Sequence, residues 1–138
     1  MTEAVSAGLF GVLHASSVLE SRVEARLSEA GLSLAKLAAL HQLTEAGDSL
    51  PLGQLADRLS CVKSNVTQLV DRLEADGLVN RTGDPNDRRS RLAVLTDAGR
   101  SAFVKGSEIR IQVEREMFGV LTAQESETLH QLLAKLQG

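Results

Sequence analysis

The stretch KSNVTQLVDRLEADGLVNRTGDPNDRRSRLAVLTDAG, residues 63–99, changes its hydrophobic period half-way along. In its first part Val66, Leu69, Val70 and Leu73 form one apolar stripe at about 100° per residue. Ser64, Gln68, Asp71 and Ala75 lie opposite, with Asn65, Thr67 and Arg72 on the flanks. Gly77 supplies a C′ glycine, so the spacing predicts a helix over 63–76. The period then drops to two. LVNRT (78–82) and RLAVL (91–95) are short β-type runs flanking the turn-rich GDPNDRRS (83–90), the pattern of a hairpin.

Over its first two turns the outward ridge of that helix is small and rich in hydrogen-bonding groups. A helix entering a DNA major groove needs this texture: slim enough to reach base edges, with an amide such as Gln68 to pair with adenine. Asp71 repels phosphate, so entry is expected through the N-terminal half, with the helix tilting away further on. A polar, solvated face fits the same residues, and the helix taken alone leaves both readings open.

Working outward, helical spacing runs from about Glu3 to Ala30 (Leu9, Leu13, Leu19, Val23, Leu27) and stops at Gly31. Ser33 is placed to cap a second helix over 34–46, ended by Gly47. GDSLP (47–51) reads as a turn, with Pro51 near the first position of a short helix over 52–60. A break follows at Ser60–Val62. On the other side Thr96 caps a long helix to about Phe118, which Gly99 and Gly106 weaken locally. TAQE (122–125) is a capping box for a final helix with Leu129, Leu132, Leu133 and Leu136 on one stripe. The order predicts a mainly α fold with a small β-hairpin wing: a winged helix-turn-helix between flanking helices, all in one domain over 1–138.

A chain of 138 residues, 43% hydrophobic and 24% charged, suffices for such a core. No stretch approaches the roughly 18–20 apolar residues of a membrane span, so no membrane partner is expected. MTEAVSAGLF has no basic flank, which argues against a secretory signal. A lone cysteine, Cys61, suits a reducing cytoplasm, and a cytoplasmic location is expected. The net charge of −3 is unevenly spread. Residues 1–57 carry 3 basic and 7 acidic side chains, residues 58–115 carry 11 and 8, and residues 116–138 carry 1 and 3. An electrostatic footprint for phosphate is local, and the middle of this chain holds one.

Enzymatic constellations are missing: there is no G-x-S-x-G, no Gly-rich phosphate loop and no H-E-x-x-H. His14, His41 and His130 fall on different helices without a second ligand at i+3 or i+4, so neither a metal nor another cofactor is expected. Cys61 sits in the helix-turn-helix turn, where a thiol fills a small packing slot. Lys63 and the helix start could instead lower its pKa, which leaves a cysteine-based redox sensor as an alternative. A winged helix serving protein contacts without DNA is the other, and the arginine-rich hairpin speaks against it.

From Leu59 to Gly99 the chain resembles the MarR family of transcriptional regulators. KSNVTQLVDRLEADGLVNR is similar to the family's recognition helix and first wing strand. DPNDRRSRLAVLTDAGR is similar to its D-x-R wing motif followed by the L-T-x-x-G entry to a long helix. The resemblance implies a sequence-specific regulator, probably written as a repressor, acting on double-stranded DNA as an obligate homodimer. Residues 1–30 and 100–138 would supply the dimerisation helices and 33–99 the DNA-binding part. It implies that Arg89 reaches into the minor groove and that Asp87 orients the wing, where Asp87 can also pair with an arginine. Arg88 and Arg91 are better placed for phosphate. The full candidate set for DNA is Lys63, Ser64, Asn65, Thr67, Gln68, Arg72, Asp87, Arg88, Arg89 and Arg91.

The resemblance also suggests a small-molecule effector, of unknown identity, between the dimerisation helices and the winged part; such pockets often take aromatic acids. This chain has three phenylalanines and neither tyrosine nor tryptophan to line one. Two departures stand out. Val62 replaces a frequent serine N-cap, leaving helix-terminal N–H groups to Ser60 or a phosphate oxygen. Gln68 replaces a frequent arginine, which implies a different base preference.

Overall fold

The structure, a computed structural model, describes residues 2–59 and 65–138, the side chains of 2–7 excepted. Helices α1 (Thr2–Ser28), α2 (Leu34–Glu45), α3 (Leu52–Arg58), α4 (Val66–Ala75), α5 (Asp97–Phe118) and α6 (Ala123–Leu136) enclose a small sheet. Its strands are β1 (Ser49–Pro51), β2 (Val79–Asp84) and β3 (Asp87–Leu95), antiparallel in the order β1-β3-β2.

The local signals explain most boundaries. The Ser33 hydroxyl accepts from the Lys36 N–H at 3.1 Å and starts α2. Gly77 ends α4 at φ 77°, with the Leu78 N–H reaching back to the Leu73 carbonyl at 2.9 Å. The Thr96 hydroxyl accepts from the Gly99 N–H at 3.0 Å, and the Thr122–Glu125 capping box opens α6.

Two expectations are corrected. GDSLP is not only a turn: Ser49–Pro51 forms an edge strand in register with β3 (Ser49↔Val94, Leu50↔Ala93, Pro51↔Leu92). Pro51 then acts as the N-cap of α3, at φ −58° and ψ 143°, not as its first helical residue. A proline without an N–H is tolerated at a sheet edge, and three residues are too few to show a two-residue period. The second correction concerns α4, which begins at Val66 and not at Lys63 because Asn65 caps it.

The core gathers Leu40 and Leu43 of α2, Leu55 of α3, Val70 and Leu73 of α4, and Val79 of β2, all fully buried, with Leu27 of α1. α4 is thereby seated by its apolar stripe, and its other face is left outward. Gly99 and Gly106 do not break α5. They are buried close-approach sites: a Cβ at Gly99 would collide with the Leu78 carbonyl, and one at Gly106 would come within 2.7 Å of Leu37 and 2.9 Å of Leu32. Arg26 of α1 pairs with Glu116 of α5 at 2.9 Å, and Lys36 of α2 with Asp76 beyond α4 at 2.8 Å. Arg100 joins Asp97 and holds Asp48, whose φ of 82° is left-handed, at 2.8 Å; the Asp48 hydrogen bond and charge raise the Arg100 pKa.

Candidate nucleic-acid interface

The outward face of α4 carries Thr67, Gln68, Asp71 and Arg72, all exposed. Asn65 precedes them, and its side-chain oxygen accepts from the Gln68 N–H at 3.2 Å. That oxygen therefore satisfies one of the orphan donors at the helix start, the task for which Ser60 or a phosphate oxygen had been the expected source. Lys63 and Ser64, with Ser60, Cys61 and Val62, lie outside the described residues.

The hairpin is longer than its hydrophobic runs suggest. β2 and β3 extend to a two-residue loop, Pro85–Asn86, so Asp87–Ser90 belong to the strand and not to a broad turn. Pairing is regular from Val79↔Leu95 to Gly83↔Arg91, then jumps to Asp84↔Asp87. Arg88, Arg89 and Ser90 thus stand opposite no residue of β2. A bulge of this kind bends its strand and re-aims the side chains on it. Two short bonds stiffen the tip: Asp84 accepts from the Asn86 N–H and Asp87 from the Arg89 N–H, each at 2.9 Å. The expected Asp87–arginine contact is a bond to the backbone of Arg89, not to a guanidinium. Arg88, Arg89 and Arg91 are all exposed.

One functional residue escaped the sequence reading. Arg81, on β2, extends over α4, where its guanidinium donates to the Thr67 carbonyl at 3.2 Å and pairs with Asp71. Its backbone N–H donates to Glu74 at 3.1 Å. Asp71 is thus a paired carboxylate on the outward face. No local spacing signals a bond spanning ten residues and two elements.

With helix and hairpin in place, the chain can be set beside known proteins. A family model described as the MarR family matches residues 32–90. The HTH-type transcriptional regulator MhqR of Bacillus subtilis is 30% identical over 137 residues, covering 99% of this chain and 93% of that one. The chain belongs to the MarR family. A probable transcriptional regulator from Pseudomonas aeruginosa, 31% identical, superposes with a TM-score of 0.80 over 92% of this chain and 94% of its own. Sco3205, a MarR family regulator from Streptomyces coelicolor crystallised with DNA, shares the fold at 23% identity and a TM-score of 0.83 over 97% and 88% of the two chains.

Two further surfaces of this MarR-family chain matter. Between α1, α2 and α5 lies a cleft of about 880 Å³, floored by Leu34, Leu37 and Phe103 and rimmed by Glu20, Glu24 and Arg110. His41 stacks on Phe103 there, ring centres 5.7 Å apart at 34°. His14 and His130 are exposed elsewhere, and no group of three or more potential metal ligands occurs among the described residues. The terminal helices meanwhile expose a broad apolar surface, with Phe10 at 69%, Val120 at 83% and Leu136 at 72% exposure, and α6 buries none of its residues. No described helix is long and apolar enough to cross a membrane.

Proposed function

We propose that the chain is a cytoplasmic, homodimeric transcriptional repressor that binds a pseudo-palindromic duplex. Each protomer lays the N-terminal half of α4 in the major groove and sets its hairpin in the adjacent minor groove. Gln68 and Thr67 face base edges, Arg72, Arg88 and Arg91 face phosphates, and Arg89 enters the minor groove, where a narrow width enhances the negative potential. Lys63 and Ser64, just before α4, complete the phosphate contacts.

The observation that carries this reading is the bulge at the hairpin tip. It lifts Arg88 and Arg89 off the ladder beside an exposed, hydrogen-bonding helix face. A solvated surface has no need of such a bulge or of the Asp87 bond that stiffens it. A module for protein contacts would present apolar anchors there instead. The exposed apolar terminal helices support pairing of two copies, which would present the unit twice. The cleft between α1, α2 and α5 has the size and apolar floor of a small-molecule site, and we assign the effector to it.

A gel shift with the DNA flanking the chain's own gene, run over a salt series, tests the reading. Salt-sensitive binding to that duplex, tighter than to random sequence, is the expected result. Equal and weak binding to both would refute it.

A further inference from the structure

Asp71 poses a problem for the proposed interface, because a carboxylate on the groove face repels phosphate, and the structure supplies its answer from the wing. The Arg81 side chain is only 21% exposed, against 56% for Asp71. Its guanidinium has two acceptors on α4: the Asp71 carboxylate and, at 3.2 Å, the Thr67 carbonyl one turn earlier. Its own N–H donates to Glu74 at 3.1 Å, and its Nε is buried without a partner among the described residues. Arg81 therefore touches α4 at three successive points, Thr67, Asp71 and Glu74, all on the side turned toward β2.

Arginine suits this place better than lysine. A planar, permanently charged guanidinium donates in two directions at once and is weakly hydrated, so it tolerates partial burial. Oriented this way it has little left to offer a phosphate. Both acidic side chains that α4 presents between Thr67 and Ala75 are answered by this one residue, Asp71 by charge and Glu74 by a backbone bond.

We propose that Arg81 is the positioning residue of the DNA-binding unit. It clamps the reading helix to the wing strand, so that the two enter their grooves at a set angle, and it cancels the charge of Asp71 on the groove face. The binding half of this inference rests on the DNA-binding function proposed above; the clamp does not.

The test combines Arg81→Ala, Asp71→Asn and the double variant. Affinity is measured over a salt series for the duplex upstream of the chain's own gene and for a random duplex of equal length. Hydrogen exchange of residues 66–84 is followed without DNA. Arg81→Ala is expected to weaken binding to both duplexes by about tenfold, or roughly 1.4 kcal/mol, without flattening the salt slope. The double variant should regain most of that loss, and exchange in α4 and β2 should quicken in Arg81→Ala.

A slope lower by about 0.9 per protomer would make Arg81 a phosphate contact and overturn the proposal. A double variant no better than Arg81→Ala would overturn it as well. If the wild type binds neither duplex, the DNA reading fails, and exchange alone decides the clamp: quicker exchange upholds it and unchanged exchange ends it. If Arg81→Ala does not fold, Asp71→Asn decides. Tighter binding to random DNA, from an Arg81 no longer fully neutralised, supports the proposal, and unchanged binding refutes it.

Discussion

The Asp87 carboxylate accepts a hydrogen bond from the backbone N–H of Arg89 at 2.9 Å, inside a bulge where Arg89 has no residue opposite it on β2. The carboxylate therefore fixes where the Arg89 main chain points and leaves the guanidinium free to act elsewhere. Its neighbour Arg88 shares the bulge and the exposure but lacks this restraint on its own N–H.

That difference separates the two arginines. Arg89→Ala should cost more affinity than Arg88→Ala, most of all on sites whose A·T-rich flanks narrow the minor groove. Loss of one phosphate contact flattens the slope of log K against log salt by about 0.9, and Arg88→Ala should show little beyond that. Dimer state and thermal stability should stay unchanged in both. Titrations that find the two variants equal would remove the wing from the minor groove.

Gln68 and Asn65 divide reading from support. Gln68→Ala should lose about 1–3 kcal/mol on the true operator and much less on random DNA, since a base contact carries sequence information and a phosphate contact does not. Asn65→Ala should instead lower thermal stability by about 0.5–2 kcal/mol through loss of the cap on the Gln68 N–H. Asn65→Asp keeps a capping oxygen, so it should melt near wild type while binding both duplexes more weakly from its added charge. Thermal melts and titrations on the same preparations check the pair.

The two buried glycines of α5 should respond unequally to alanine. Alanine gains about 1 kcal/mol of helix propensity at either site. At Gly99 the new methyl meets the Leu78 carbonyl, which is held by the Thr96 N–H at 3.1 Å and cannot give way cheaply. At Gly106 it meets the ends of the Leu37 and Leu32 side chains, which can rotate. Overpacking costs typically about 1–3 kcal/mol, so Gly99→Ala should be clearly destabilising and Gly106→Ala nearly neutral. A denaturant melt ranking them the other way would contradict the packing described at the sheet–α5 junction.

What could be read from the chain follows how local each signal is. Thr96, Thr122 and Ser33 announce their helices because a cap and its partner lie three residues apart. The stripe Val66–Leu69–Val70–Leu73 announces the buried side of α4 for the same reason. β1 stayed hidden: its partners Leu92–Val94 lie more than forty residues away, and Pro51 reads as a helix start. The hairpin's full length was masked because Asp87–Ser90 are polar, and a strand that leaves the ladder has no apolar alternation to display. Asn65 looked like a groove residue because the helix seemed to begin earlier. Arg81 was invisible as a clamp, since pairing with Asp71 depends on how β2 folds back over α4.

The terminal helices supply the last prediction. α6 has a complete capping box, yet none of its residues is buried, and Leu132, Leu133 and Leu136 stay exposed. A helix of this length is marginal in water without a surface to pack on, and α1 offers a matching apolar face through Leu9, Phe10 and Leu13. A second copy that brings those faces together would bury both. The protein should therefore be a dimer at micromolar concentration, and deleting residues 121–138 should leave insoluble or unfolded chain. Replacing Leu133 and Leu136 by lysine is the milder test: light scattering should report monomer, and circular dichroism should report lost helix. DNA footprints should shrink from two half-sites, spaced about one helical turn or ~10 bp apart in the wild type, to one. A soluble, folded monomer after the deletion, or a lysine variant that stays dimeric with an unchanged melting point, would move the interface away from α6.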